Sequence, residues 1–288
     1  MAIKFKSLTY IYDEGMPYAH KALDNINLEL FEGKITAIIG ETGSGKSTLV
    51  EHLNALLLPS SGSLEILDRE IIAKQKNKWL KALRKEVGLV FQFSEYQLFE
   101  ETILKDVAFG PMNYGLSEKD AFAKAKAALK LVGIDESMFN ISPLDISGGQ
   151  KRRIAIAGIL ALEPNVIVLD EPTAGLDPKG AKEMIDLFVS LNKKLNKTII
   201  IVSHDNEMVY NYCDNTVLMS KGKVIYSGST LDLFNNEALI SDNHLLEPKL
   251  VELKKLLNNE GFNVPSNIRT IDELATYLSK EIRRKWTV

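Results

Sequence analysis

The 288-residue sequence has a single cysteine, Cys213, and no excess of either charge: 35 Lys and Arg against 38 Asp and Glu leave a net −3. A lone cysteine excludes an internal disulfide framework and a four-cysteine zinc site. It fits a reducing cytoplasm, where Cys213 reads as a small, half-buried hydrophobe. The balance of charge argues against a dedicated nucleic-acid coat or a polybasic membrane anchor. Long apolar runs are missing too. No stretch approaches the roughly 18 uninterrupted apolar residues of a spanning helix, and the opening Met1-Ala2-Ile3-Lys4-Phe5-Lys6 lacks the apolar core of a signal peptide. Work at a membrane would require a partner to hold the chain there.

With 45% apolar and 25% charged residues, the chain has the composition of a globular protein long enough for one large domain or two modest ones. Strand-like runs alternate with helical ones, which predicts an α/β fold around a mostly parallel sheet. Residues 35–39, 88–91, 166–169 and 198–202 are short and almost wholly apolar, as central strands covered on both faces should be. The first thirty residues alternate, and residues 217–228 carry the turn Lys221-Gly222-Lys223, so both regions read as antiparallel pieces. Ser117 is placed to cap a helix whose Ala121, Ala125, Ala128, Leu129 and Val132 share a face. After about residue 243 a stripe of Leu246, Leu250, Leu253 and Leu257, followed by a Thr270/Glu273 capping box before Leu274, Leu278 and Ile282, predicts a helical appendix.

The residues with chemistry begin where the first buried strand ends. Gly40-Glu41-Thr42-Gly43-Ser44-Gly45-Lys46-Ser47-Thr48 lies between that strand and an apolar helical series, the context a phosphate-binding loop requires. Glycines let backbone N–H groups face a polyanion and the new helix adds its positive end. Lys46 can reach the β- and γ-phosphates, and the Ser47 hydroxyl can ligate Mg²⁺. Asp170 and Glu171 end the strand 166–169, so Asp170 can serve Mg²⁺ through its water shell and Glu171 can orient or deprotonate water. Ser203-His204-Asp205 ends the next strand and would bring an imidazole to the same edge. Ser147-Gly148-Gly149-Gln150, 23 residues before Asp170 (170 − 147), form a second anion nest at a helix start. One nucleotide needs only one such nest from its own chain.

This arrangement resembles the ATP-binding-cassette (ABC) ATPases, whose signature is Leu-Ser-Gly-Gly-Gln; here Ile146 replaces the leucine and keeps a hydrophobic lead-in. The resemblance covers about residues 3–240 and implies a P-loop NTPase (RecA-like) core with an antiparallel β subdomain and a helical subdomain near 93–160. It divides the chain into a nucleotide-binding domain, 1–242, and a C-terminal helical domain, 243–288, that stabilises a dimer. It further implies that Tyr12 stacks on adenine and that residues 40–48 cradle phosphate. Gln92 would bridge Mg²⁺ and the helical subdomain, with Ser47 and Asp170 also serving the metal. Ser147, Gly148, Gly149 and Gln150 would contact the nucleotide on a partner subunit, Asp177 would lie in the dimer-contacting loop, and His204 would complete a site containing Lys46 and Glu171.

The segments Leu89-Val90-Phe91-Gln92-Phe93-Ser94-Glu95, Asp106-Val107-Ala108-Phe109-Gly110-Pro111 and Ile156-Ala157-Gly158 look like the ATP-binding subunits of energy-coupling factor (ECF) transporters of vitamins and metals. That family implies a paralogous ATPase partner, a transmembrane T subunit, a membrane S component that binds the substrate, and a peripheral place on the cytoplasmic face of the membrane. Glu95, Glu100 and Glu101 offer a carboxylate cluster suited to arginines of a membrane partner. The ATPase of another ABC importer shares every motif and stays open as an alternative. A soluble ABC ATPase would normally bring two cassettes or a long coiled coil, and a P-loop kinase has no use for residues 147–150. The basic stretch Lys74, Lys76, Lys78, Lys81, Arg84 and Lys85 reads as a solvated face, so no nucleic-acid partner is expected.

Overall fold

The computed structural model describes residues 3–73 and 79–286, so Lys74, Lys76 and Lys78 lie outside the described residues. The alternating N-terminal segment forms β1 (Ile3–Tyr12) and β2 (His20–Leu30); the apolar run that follows is β3 (Ile35–Gly40), which leads into α1 (Lys46–Leu53). Next come β4 (Ser61–Ile66), β5 (Arg69–Ile72), α2 (Leu80–Glu86) and β6 (Val87–Val90), then the helices α3 (Ile103–Asn113), α4 (Glu118–Leu131) and α5 (Gly148–Leu160). The chain continues through β7 (Val166–Asp170), α6 (Pro178–Leu195), β8 (Thr198–Val202), α7 (Asn206–Tyr212), β9 (Asn215–Ser220) and β10 (Lys223–Ser229). It closes with α8 (Thr230–Phe234), α9 (Glu237–Asp242), α10 (Lys249–Asn259) and α11 (Ile271–Trp286). Among the described residues no helix is long and apolar enough to cross a membrane.

Two sheets result, a four-stranded antiparallel one in the order β2-β1-β4-β5 and a six-stranded one in the order β10-β9-β3-β8-β7-β6. In the second sheet all neighbours run parallel except β10 against β9. Period-two geometry explains why its strands are apolar throughout. Ile35, Ala37 and Ile39 face a core shared with the helices, whereas Ile38 faces the core under the antiparallel sheet. Ile167 and Leu169 against Val166 and Val168, and Ile199 and Ile201 against Ile200 and Val202, divide the same way.

Two expectations about the strands change. The apolar run at 87–90 is the edge strand of the sheet, not a central one; it is buried because α5 closes over it, and a Cβ on Gly88 would lie 2.4 Å from Ile159. Residues 217–220 run parallel to β3, and only the hairpin partner β10 is antiparallel. Ser117 caps α4 as expected, accepting from Asp120 N, with Ala121, Ala125, Ala128 and Leu129 buried. Cys213 is fully buried rather than half-buried, and burial pushes its thiol up to about 12.

The appendix forms, and the Thr270/Glu273 box is made in both directions, at 3.1 and 3.2 Å. Its inward face differs from the leucine stripe. Leu246 precedes α10 and is 80% exposed, Leu253 is also exposed, and Leu250, Val251 and Lys254 are the buried residues. The helix rotates so that the Lys254 ammonium can reach buried acceptors.

Candidate nucleotide site

Parallel strands collect chemistry at their carboxyl ends, and here β3, β8 and β7 are adjacent. The loop after β3, residues 203–204 after β8 and residues 170–171 at the end of β7 therefore meet at one edge. A cavity of about 410 Å³ opens there, lined by Tyr12, Thr42, Gly43, Gly45, Lys46, Ser47, Thr48, Gln92, Asp170, Glu171 and His204, and also by His20, Ala22 and Val202.

The loop's shape depends on missing side chains. A Cβ on Gly40 would lie 2.1 Å from the Met219 carbonyl oxygen, and one on Gly45, at φ 100°, would lie 2.7 Å from that of Ala22. Gly45 starts α1 with no side-chain cap and no acidic residue follows in the first turn, which leaves N–H groups and a positive helix end for an anion. Ser44 is buried behind the loop, where its carbonyl accepts from Gly222 N at 3.0 Å. Gly40, Glu41 and Ser44 frame the loop without lining the cavity. Lys46 Nζ donates to the carbonyls of Gly40 and Glu41, both at 2.8 Å. Burial pulls its pKa down while Glu171 and Asp170 pull it up.

Tyr12 closes one side. Its hydroxyl is 3.2 Å from Thr48 Oγ1, and its ring meets that of Tyr10 edge-on. Tyr10 in turn meets His52, whose Nδ1 lies 2.7 Å from the Thr48 carbonyl oxygen and whose pKa burial lowers to about 4, so the ring is neutral. His20 enters the cavity because it pairs in register with Tyr12 across β1 and β2. The sequence reading missed it, and that register was the one available signal.

On the far wall, Asp170 and Glu171 both have pKa values raised by burial. For Asp170 the Ser47 hydroxyl opposes the rise, whereas for Glu171 the Asp170 charge adds to it. Glu171 turns the chain at φ 50°. His204 Nε2 stands 3.3 Å from Glu171 Oε1, but not aligned as a hydrogen bond, so that buried oxygen has no donor. Burial and Lys46 lower the His204 pKa, leaving the ring neutral at pH 7.

Gln92, just beyond β6, is tied to the helical insertion by Arg152 of α5. Arg152 is 3% exposed, and its guanidinium donates to the carbonyls of Gln92 and Ala174. Glu95 lies 3.7 Å from it. Here the expected acidic surface is corrected: Glu95 turns inward to the Arg152 charge and is not part of an outward cluster with Glu100 and Glu101. Glu101 is exposed and pairs with Lys105 at 2.6 Å, and Glu100 is partly exposed. Around them the large exposed groups are aromatic: Phe93, Phe99 and Tyr96, the last 84% exposed.

Residues 147–150 do not enter this cavity. Ser147 accepts from Gln150 N while its own N–H donates to Gln150 Oε1, a closed capping box. Ser147, Gly148 and Gly149 are exposed, and a Cβ on either glycine would meet nothing within 4 Å. Asp177 caps α6, accepting from Gly180 N at 3.1 Å.

The family model for ABC transporters matches residues 23–174, from β2 through the phosphate loop and the nest to the residues just past Glu171. The chain belongs to the ABC transporter family. It is 47% identical over 282 residues to the energy-coupling factor transporter ATP-binding protein EcfA2 of Lactiplantibacillus plantarum, covering 98% of this chain and 96% of that protein. The EcfA2 protein of Enterococcus faecalis is 46% identical, over 98% of both chains. Among solved ABC structures, cbiO1 of Clostridium perfringens, part of the ABC transporter complex cbiONQ, is 39% identical with a TM-score of 0.73, covering 88% of this chain and 98% of that one. The ATP-binding cassette MJ0796, solved as a dimer bound to ADP and Pi, is 30% identical with a TM-score of 0.71, over 79% of this chain and 98% of that one. Within the family the chain therefore stands with the ECF group.

Proposed function

We propose that this chain is the ATP-binding and ATP-hydrolysing subunit of an ECF-type importer, in which closure of two ATPases over MgATP and reopening on hydrolysis drive uptake of a vitamin or metal ion through membrane subunits. One observation carries the reading: a single cavity is lined by a phosphate loop, two strand-end carboxylates, a neutral imidazole and Gln92, while the nest at 147–150 of the same chain lies outside it with Ser147, Gly148 and Gly149 exposed. Two chains set head to tail would bring each nest to the other's nucleotide. The second ATPase is read as a paralogue, because the ECF resemblance favours a heterodimer.

In this reading residues 40–48 hold the phosphates, Lys46 reaches the β- and γ-phosphates, and Tyr12 stacks on adenine. Ser47, Gln92 and, through water, Asp170 would hold Mg²⁺; the donor set fits, since all three line the cavity and offer a hydroxyl, an amide oxygen and a carboxylate, the oxygen donors that Mg²⁺ takes. The ion supplies charge neutralisation at the phosphates. Glu171 takes a proton from water as the water oxygen bonds to the γ-phosphorus; the bond to the bridging oxygen breaks and ADP leaves with the electron pair. A raised pKa suits a base for this step. Neutral His204 donates a hydrogen bond to the γ-phosphate and orients the water.

Residues 1–242 act as the nucleotide-binding domain, with about 93–160 as its helical subdomain. Residues 243–288 stabilise the dimer. Glu100 and Glu101, with the exposed aromatics beside them, face a transmembrane T subunit, and a separate S component binds the substrate. The chain then sits peripherally on the cytoplasmic face of the cell membrane.

Hydrolysis is expected to require Mg²⁺ and to fall by about 10²-fold or more in Glu171→Gln, with ATP affinity retained and an ATP-bound dimer accumulating. Turnover of that variant at the wild-type rate would remove Glu171 from the role of base.

A further inference from the structure

His204 stands two residues before α7, and α7 is held from both ends by the C-terminal unit. At its start, Asn206 Nδ2 donates to the Leu246 carbonyl at 2.8 Å, and the Lys249 backbone N–H donates to Glu207 Oε1 at 2.6 Å. At its end, Arg269 donates through Nε and Nη2 to the Tyr210 carbonyl at 3.1 and 2.6 Å, and through Nη2 to the Cys213 carbonyl at 2.5 Å. The last carbonyls of a helix have no partner within it and carry its negative end, so a guanidinium there both satisfies and neutralises them.

The Tyr210 side chain is bound as well. It is fully buried, its hydroxyl donates to the Ile268 carbonyl at 3.0 Å, and Lys254 Nζ stands 3.3 Å from the same hydroxyl. Lys254, 4% exposed, also donates to the carbonyls of Ser266 at 2.7 Å and Ile268 at 3.2 Å. A buried ammonium is retained only where acceptors surround it. These three acceptors explain why α10 turns a lysine inward. Residues 243–246 also pass behind His204, across a cavity of about 280 Å³ bounded on the other side by Ser203, His204 and the loop residues Gly40 and Glu41.

We infer that the C-terminal unit is a clamp on α7 that positions His204 in the same chain, with Arg269 and Glu207 as the positioning residues at its two ends. This goes beyond dimer stabilisation and rests on His204 having the role proposed above. A seven-residue helix has little rigidity of its own. The loop ahead of it is fixed at one end by β8, where the Ser203 N–H donates to the Ile38 carbonyl at 3.3 Å, and at the other end takes its orientation from whatever fixes the helix. Displacement of a catalytic group by about 1 Å can cost up to 10²-fold in rate, so the clamp sets turnover rather than nucleotide affinity.

The test uses the full-length chain purified with the subunits that accompany it. Arg269→Ala is expected to lower kcat for ATP hydrolysis about tenfold with KM for MgATP changed less than about twofold, and Arg269→Lys is expected to restore part of the loss. In the His204→Ala background the Arg269→Ala loss should vanish, because its effect passes through the imidazole. Should Arg269→Ala fail to fold, Glu207→Ala carries the same cycle, with Glu207→Gln as its conservative rescue. A folded Arg269→Ala or Glu207→Ala protein with wild-type kcat overturns the clamp, as does an equal loss with and without His204. Wild-type turnover of His204→Ala alone also removes it, and marks the failure as one of the site assignment.

Discussion

At Glu171 the chain turns through φ 50° and holds a carboxylate with a side chain only 16% exposed beside Asp170. Burial and the Asp170 charge raise its pKa above the ordinary 4.5. The sign of the stability effect follows. A carboxyl whose pKa is higher folded than unfolded gives stability that is full below the unfolded value and lost as pH rises through the folded one. At pH 7 the ionised group therefore costs stability, as functional sites often do. Glu171→Gln is expected to raise the melting temperature by about 2–4 °C at pH 7, with the gain shrinking toward pH 4.5. Calorimetry at the two pH values checks this, and a lower melting temperature at pH 7 would contradict it. The chemistry-bearing residues were legible because each ends an apolar run. His20 was not, since its place depends on cross-strand register with Tyr12. Nor was the inward turn of Glu95, because three carboxylates in one short segment look alike until the fold brings Arg152 beside one of them.

Among the elements, α5 does more than carry the nest at its start. Through Arg152 it reaches the carbonyls of Gln92 and Ala174, so the loop after β6, the loop after β7 and the helical insertion share one buried cation. Removing it leaves the half-buried Glu95 without its cation and two carbonyls unpaired. Arg152→Met is expected to cost about 3–5 kcal/mol, read from urea midpoints, and replacing Glu95 by Gln in the same chain should recover part of that. No recovery would show that the Glu95 pairing contributes nothing to the cost. Ser117 and the alanine face of α4 could be read from spacing alone, as could the Thr270/Glu273 box. The edge position of β6 could not, because an edge strand covered by α5 is as apolar as a central one. The inward face of α10 could not either, since Lys254 is placed by acceptors some twelve to forty-four residues away.

Over the whole molecule, a near-neutral chain with no spanning helix among its described residues presents three unlike surfaces. The nucleotide cavity lies at the carboxyl ends of β3, β8 and β7, the exposed nest lies at the start of α5, and an aromatic and acidic face surrounds Phe93, Tyr96, Phe99 and Glu101. In the proposed dimer the first two complete one another, each nest meeting the nucleotide held by the other ATPase. The third suits a partner that offers arginines and apolar side chains. In the proposed reading, the partner that a chain without long apolar runs needs at a membrane docks on this third face. The most direct measurement is to purify the full chain from detergent-solubilised membranes and identify what accompanies it. A paralogous ATPase together with a polytopic membrane protein is the predicted result; recovery with ribosomes or DNA instead would contradict the account.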